Sequence, residues 1–176
     1  MFTGLKKDVL RKESLKIRTM NKEYIPIFFS SDNNYAVPTF IALFSLSKNY
    51  KGNHNIKVFI LTSGDFHEEY TALFQNLTKD FEFLDVSFIN MKDSYSSVVI
   101  NNTHITTATM YRLLIPSVCM QMGISKCIYL DSDIIVEGDI SELFNIDIGD
   151  FCIGGVSNIP TILSLDEKKT LVEVPI

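Results

Sequence analysis

A chain of 176 residues with 46% hydrophobic and 21% charged side chains suits one globular domain that buries roughly 70% of its unfolded surface, and it is too apolar for disorder. Its apolar runs fall well short of the ~20 residues that cross a bilayer, and its net charge of −5 is uneven: residues 1–22 carry +5 and the rest −10. An acidic body argues against nucleic-acid binding and suits a protein that meets phosphate through a metal ion rather than a basic patch.

The start, Met1-Phe2-Thr3-Gly4-Leu5-Lys6-Lys7, has no apolar core followed by a small-residue cleavage site, which leads to the expectation of a cytoplasmic protein. Residues 3–18 place Leu5, Val9, Leu10, Leu15 and Ile17 among six basic side chains, a loosely amphipathic helix. It reads either as a solvated extension or as a peripheral contact with the inner face of an anionic membrane.

From Tyr24 to Ser30 the apolar, β-favouring run predicts a strand, which either begins after Pro26 or carries an unpaired position there. Ser31-Asp32-Asn33-Asn34 makes a turn, and Val37, Phe40, Ile41 and Phe44 then recur at helical spacing. Ile56–Leu61 reads as a buried strand, Glu68–Asp80 as a helix with Leu73 and Leu77 four apart, and Val86–Ile89 as a third strand.

A helix is predicted from about Thr107 to Met122, kinked or split by Pro116, followed by a short buried strand over Lys126–Leu130. After it, Ile134–Val136 resumes extended structure, Ile140–Phe144 makes a helical turn, and Phe151–Val156 reads as a further strand. Cys119, Cys127 and Cys152 lack Cys-x-x-Cys spacing and lie in apolar stretches, so reduced core thiols are expected. Strands alternating with helices imply an α/β fold, with a mostly parallel sheet covered on both faces and a ligand crevice beyond the strands' carboxyl ends.

Two polar clusters fall at such ends. In Asp131-Ser132-Asp133 the two carboxylates stand on alternate residues, about 6.5 Å apart at an extended backbone, and can converge on one hard cation such as Mn²⁺ or Mg²⁺. The same residue types also serve as turn and cap residues. Asp32-Asn33-Asn34-Tyr35 reads first as a helix cap and turn, and second as amide and carboxylate groups that pair with a nucleobase beside a stacking Tyr35. Arg112 offers a fork of donors to a phosphate or sugar hydroxyl, or pairs with an acid, while His104 reads first as a structural residue.

At these residues the sequence resembles glycosyltransferase family 8, retaining enzymes that include lipopolysaccharide glucosyl- and galactosyltransferases. Three ordered blocks carry the likeness: Ile27–Tyr35, His104-Ile105-Thr106-Thr107-Ala108-Thr109-Met110-Tyr111-Arg112-Leu113, and Lys126–Phe144 around Tyr129-Leu130-Asp131-Ser132-Asp133. The resemblance implies a GT-A fold over residues 23–158, with 1–22 a basic extension and 159–176 a separate C-terminal segment. It further implies UDP-glucose or UDP-galactose as donor, a glycan acceptor, and Mn²⁺ or Mg²⁺ held by Asp131 and Asp133. Asp32, Asn34 and Tyr35 would hold the uridine, Ser132 would lie along the nucleotide, and Arg112, His104 and Asn33 would belong to the donor site.

Two features depart from the family pattern. Asn158 stands where many members have a sugar-contacting Asp, so it keeps hydrogen bonding but lacks the charge. The family's later His-x-x-Gly-x-x-Lys-Pro-Trp segment, whose His completes the metal site, has no counterpart up to Ile176. The expected function is therefore hexose transfer, with donor binding without turnover as the alternative. A strand followed by Asp-x-Asp also resembles phosphotransferases of the haloacid dehalogenase type, although Ile135 replaces their usual Thr.

Overall fold

The computed structural model describes residues 24–92 and 107–155. The extension 1–22, His104, Asn158 and the segment 159–176 lie outside them. The chain divides into two compact units, 1–144 and 145–176.

In the first unit, β1 (Tyr24–Ser30), β2 (Asn55–Thr62), β3 (Leu84–Asn90) and β4 (Ile128–Tyr129) form a wholly parallel sheet in the order β3-β2-β1-β4. Parallel neighbours need crossovers, and these are supplied by α1 (Ala36–Asn49), α2 (Glu68–Asp80), α3 (Thr107–Tyr111) and α4 (Ile115–Met122). A short α5 (Ile140–Phe144) follows β4. Alternation along the strands divides the core in two. Ile25, Ile27, Phe29, Ile56, Val58 and Ile60 pack under α1 and α2 with Leu43, Leu46, Phe74 and Leu77. Phe28, Phe59 and Leu61 face the other way, toward Tyr111, Leu114, Ile115 and Val118.

Pro26 sits inside β1, in register with Lys57. Ser31 N donates to Leu61 O and Leu130 N donates to Phe28 O, so odd residues of β1 face β2 and even residues face β4. The missing N–H of Pro26 thus points to the β4 side, where β4 pairs only with Ile27 and Phe28, and no ladder bond is lost.

Of the residues that revealed α1, Phe40 and Phe44 pack at the edge of the core, and the fully buried positions are others. Ala36, Thr39, Ala42, Leu43, Leu46 and Ser47 are buried, whereas Val37, Ile41 and Phe44 are exposed. In α2 the expected pair divides: Leu77 is buried beside Phe74, whereas Leu73 is exposed.

Pro116 does split the predicted helix, but the break lies four residues earlier, as a 3₁₀ turn over Arg112–Leu114. Proline cannot donate to the carbonyl four residues before it, and its ring crowds that carbonyl. The Arg112 carbonyl instead accepts from Ile115 N, the shorter 3₁₀ bond, and Pro116 settles into the first turn of α4. Gly123 closes α4 in the left-handed region at φ 73°, and Ile124 N reaches back to Cys119 O at 2.9 Å.

Two expected extended stretches are not strands. Ile134–Val136 joins no sheet among the described residues, and α1 side chains hold the Val136 backbone: Asn49 Nδ2 donates to Val136 O and Val136 N donates to Ser45 Oγ. In the second unit, Phe151–Gly155 has no ladder partner among the described residues, and Phe151 and Ile153 are exposed. Cys119 is buried and Cys127 half-buried, with their sulfurs 3.6 Å apart, but Cys152 is exposed and is not a core thiol. The Cys119 thiol donates to Cys127, which pushes the Cys119 pKa up and the Cys127 pKa down.

Candidate functional site

The sheet order turns back between β1 and β4: the chain moves outward from β1 to β2 and β3, then returns to the far side of β1. A crevice opens beyond the strand ends at such a reversal. Here a cavity of about 250 Å³ is lined by Ser30, Asp32, Tyr35, Ala108, Thr109, Arg112, Tyr129, Asp131, Ser132 and Asp133.

The β1 rim is a built turn. Asp32 Oδ1 accepts from Asn34 N at 2.9 Å and Tyr35 N at 3.1 Å, which holds the chain tight as it enters α1. The buried Thr39 hydroxyl stands 2.8 Å from that of Ser31 and 2.7 Å from Tyr35 O, tying the turn to the first helical residues. Asn33 does not reach the cavity. Its amide donates to Asp65 O at 3.0 Å and its oxygen accepts from His67 N at 2.9 Å, clasping the β2–α2 loop. Asn34 is also absent from the lining, whereas Tyr35 stands exposed at the rim.

On the opposite rim, Ser132 is buried and donates to Ser30 O at 2.8 Å, so the β4 turn is bolted to the end of β1. That bond leaves Asp131 and Asp133 on either side of Ser132, both on the cavity wall. Arg112 enters from the 3₁₀ turn. Its Nε donates to Thr109 O at 2.9 Å, its guanidinium lies 5.2 Å from the Tyr129 ring centre, and Nη1 stands 3.2 Å from Asp131 Oδ1. The Tyr129 hydroxyl donates to that same Oδ1 at 2.8 Å. Burial, aided by the neighbouring Asp131 carboxylate, pushes the Tyr129 phenol far above its ordinary range, so it stays a donor.

The cavity thus unites six of the expected residues: Asp32, Tyr35, Arg112, Asp131, Ser132 and Asp133. Sequence reasoning gave no role to Ser30, Thr109 or Tyr129. The last had a signal, since residues two apart in extended chain point the same way, and Tyr129 precedes Asp131 by two. Among the described residues no cluster of three or more His, Cys, Asp or Glu side chains converges as a closed metal cage. The oxygens of Asp131 and Asp133 do match the chemistry of a hard divalent ion that completes its shell with phosphate and water. Charge points the same way, because three carboxylates against one guanidinium repel an anion unless a cation joins them.

The chain matches known proteins over most of its length. Residues 26–172 match the family model for glycosyl transferase family 8. The chain belongs to that family. It is similar to general stress protein A of Bacillus subtilis, 29% identical over 139 residues that make up 77% of this chain and 47% of that protein. It is also similar to the lipopolysaccharide 1,2-glucosyltransferase of Escherichia coli, 22% identical over 82% of this chain and 41% of that protein. Among solved structures, the galactosyltransferase LgtC in complex with donor and acceptor sugar analogs aligns at a TM-score of 0.55 and 26% identity, over 72% of this chain and 44% of LgtC. The fold is GT-A. The chain spans under half the length of these relatives. Membership in this family sets aside the phosphotransferase reading of the Asp pair.

Proposed function

We propose that this chain forms the donor-binding part of a retaining glycosyltransferase that moves a hexose, glucose or galactose, from a UDP-sugar to a glycan acceptor. The observation that carries the reading is the convergence of Arg112, Asp32, Asp131 and Asp133 on one cavity at the β1/β4 reversal. Such a cavity takes a diphosphate only together with a cation, and Mn²⁺ or Mg²⁺ is the chemical match for its oxygen donors.

In this reading Asp131 and Asp133 hold the metal, which when bound neutralises the charge that builds on the departing diphosphate. Arg112 directs its fork at a phosphate or sugar oxygen. Tyr35 offers its ring to the uracil, and the Asp32 turn fixes where that ring stands. His104 and Asn158 join the donor site through the family likeness. Similarity to a lipopolysaccharide glucosyltransferase and to a galactosyltransferase solved with donor and acceptor sugar analogs supports the donor and acceptor classes.

Calorimetry with UDP and Mn²⁺ tests this. Binding is expected for the wild type and lost in the Asp131→Ala, Asp133→Ala double variant; undiminished binding in that variant would sink the metal assignment. The second reading is donor binding without turnover by the residues present. Release of UDP from UDP-glucose or UDP-galactose by the 176-residue chain decides between the two.

A further inference from the structure

We propose that Tyr129 is a positioning residue of this site, one side chain that fixes both the carboxylate offered to the metal and the guanidinium offered to the donor. The inference rests on the reading of the cavity as a metal-dependent UDP-sugar site.

Tyr129 is itself well held. It pairs with Phe28 in the sheet and packs against the core beneath α3 and α4. Packing alone would be served by Phe or Leu. What the tyrosine adds is a hydroxyl at the cavity wall, 2.8 Å from Asp131 Oδ1, and a ring face 5.2 Å from the Arg112 guanidinium carbon. Both neighbours need such support. Asp131 lies past the end of β4 with its carboxylate about half exposed, and Arg112 sits on a 3₁₀ turn with its side chain partly in solvent. Left alone, each would sample several rotamers, and ordering them would reduce the affinity for whatever they bind.

The two contacts are also linked. The phenol and the guanidinium share one oxygen of Asp131, so a cation arriving on that carboxylate competes with Arg112 but not with the ring beneath it. An Arg112 displaced from Asp131 keeps its seat over Tyr129 and its bond to Thr109 O, and stays aimed into the cavity where a phosphate would lie. Tyr129 thus lets metal binding free the guanidinium without losing it.

Tyr129→Phe removes the hydroxyl and keeps the ring, whereas Tyr129→Leu removes both. Mn²⁺ binding alone, read from the paramagnetic resonance signal of the free ion, and UDP binding at saturating Mn²⁺, read by calorimetry, separate the two contacts. Thermal melts report folding. Tyr129→Phe is expected to weaken Mn²⁺ about tenfold, the usual effect of losing a hydrogen bond to a metal ligand, while UDP affinity at saturating Mn²⁺ stays within about twofold. Tyr129→Leu weakens both. A Tyr129→Phe protein that binds Mn²⁺ as the wild type does, whether or not its melting point falls, overturns the inference and leaves the donor-site reading standing. A wild type that binds neither Mn²⁺ nor UDP overturns both.

Discussion

Arg112 Nη1 stands 3.2 Å from Asp131 Oδ1, so the guanidinium already neutralises a carboxylate that the proposed reaction gives to a metal ion. This pair has opposite effects on the two ligands. It competes with a bare cation, yet it keeps a positive fork at hand for a diphosphate.

Arg112→Gln is therefore expected to shift the two affinities in opposite directions. Mn²⁺ alone binds about two- to fivefold more tightly, as suits releasing a half-exposed ion pair worth up to ~1 kcal/mol. UDP at saturating Mn²⁺ binds about tenfold more weakly, through the loss of hydrogen bonds from a charged donor. Titrations of both ligands on the one variant check the sign of each change. Parallel losses in the two would show that Arg112 does not compete with the cation.

The burial pattern of α1 gives a second expectation. Leu43 is fully buried, while Ile41 is nearly half exposed on the opposite face. Leu43→Ala should cost about 2–5 kcal/mol, the range for a large-to-small change in a packed core. Ile41→Ala should stay within about 0.5 kcal/mol, as surface changes do. Urea unfolding of the two variants measures the difference.

The contrast between those positions shows what the sequence revealed. Helical spacing of Val37, Phe40, Ile41 and Phe44 identified a helix, but periodicity names a face without saying what covers it. In α1 the small and polar Ala36, Ala42, Thr39 and Ser47 are buried beside Leu43 and Leu46, and such residues add nothing to an apolar periodicity. The limits of β1 and α2 were legible because strand and helix periods change cleanly there. The ends of β4, which pairs over Ile128–Tyr129 alone, and the loose course of Ile134–Val136 were not, and Val136 is held by α1 side chains far off in sequence. The Asp pair was visible from spacing and position. The engagement of Asn33 with Asp65 and His67 was not, because no local pattern brings those loops together.

A third expectation concerns pH. Tyr111 is buried beneath the sheet, and burial, with a smaller repulsion from Asp65, raises its pKa above the ordinary 10.0. Tyr24 and Tyr50 are raised as well, again chiefly by burial. A raised folded-state pKa means that the unfolded chain loses its proton first. The stability is whole below the unfolded value and is lost as pH climbs from 10 through the folded value. Urea midpoints should therefore fall between about pH 8 and about pH 11, and Tyr111→Phe, which cannot ionise, should show a smaller fall. An equal fall in the variant would place the alkaline loss at other groups.

The position of the helix break gives the last expectation. Pro116 denies the Arg112 carbonyl its usual partner, and that carbonyl turns to Ile115 N, which sets the 3₁₀ turn from which the Arg112 side chain reaches Asp131 and the Tyr129 ring. Pro116→Ala restores an N–H at the fourth residue and allows α3 and α4 to run on as one α-helix. Stability should change by no more than about 1 kcal/mol, because the regained bond offsets the greater freedom of the unfolded chain. The rewound turn swings Arg112 about the helix axis and away from both contacts. UDP affinity at saturating Mn²⁺ should then fall severalfold while Mn²⁺ binding alone does not weaken. Unchanged UDP binding in a stable Pro116→Ala protein would mean that Tyr129 and Asp131, and not the proline, hold Arg112 in place.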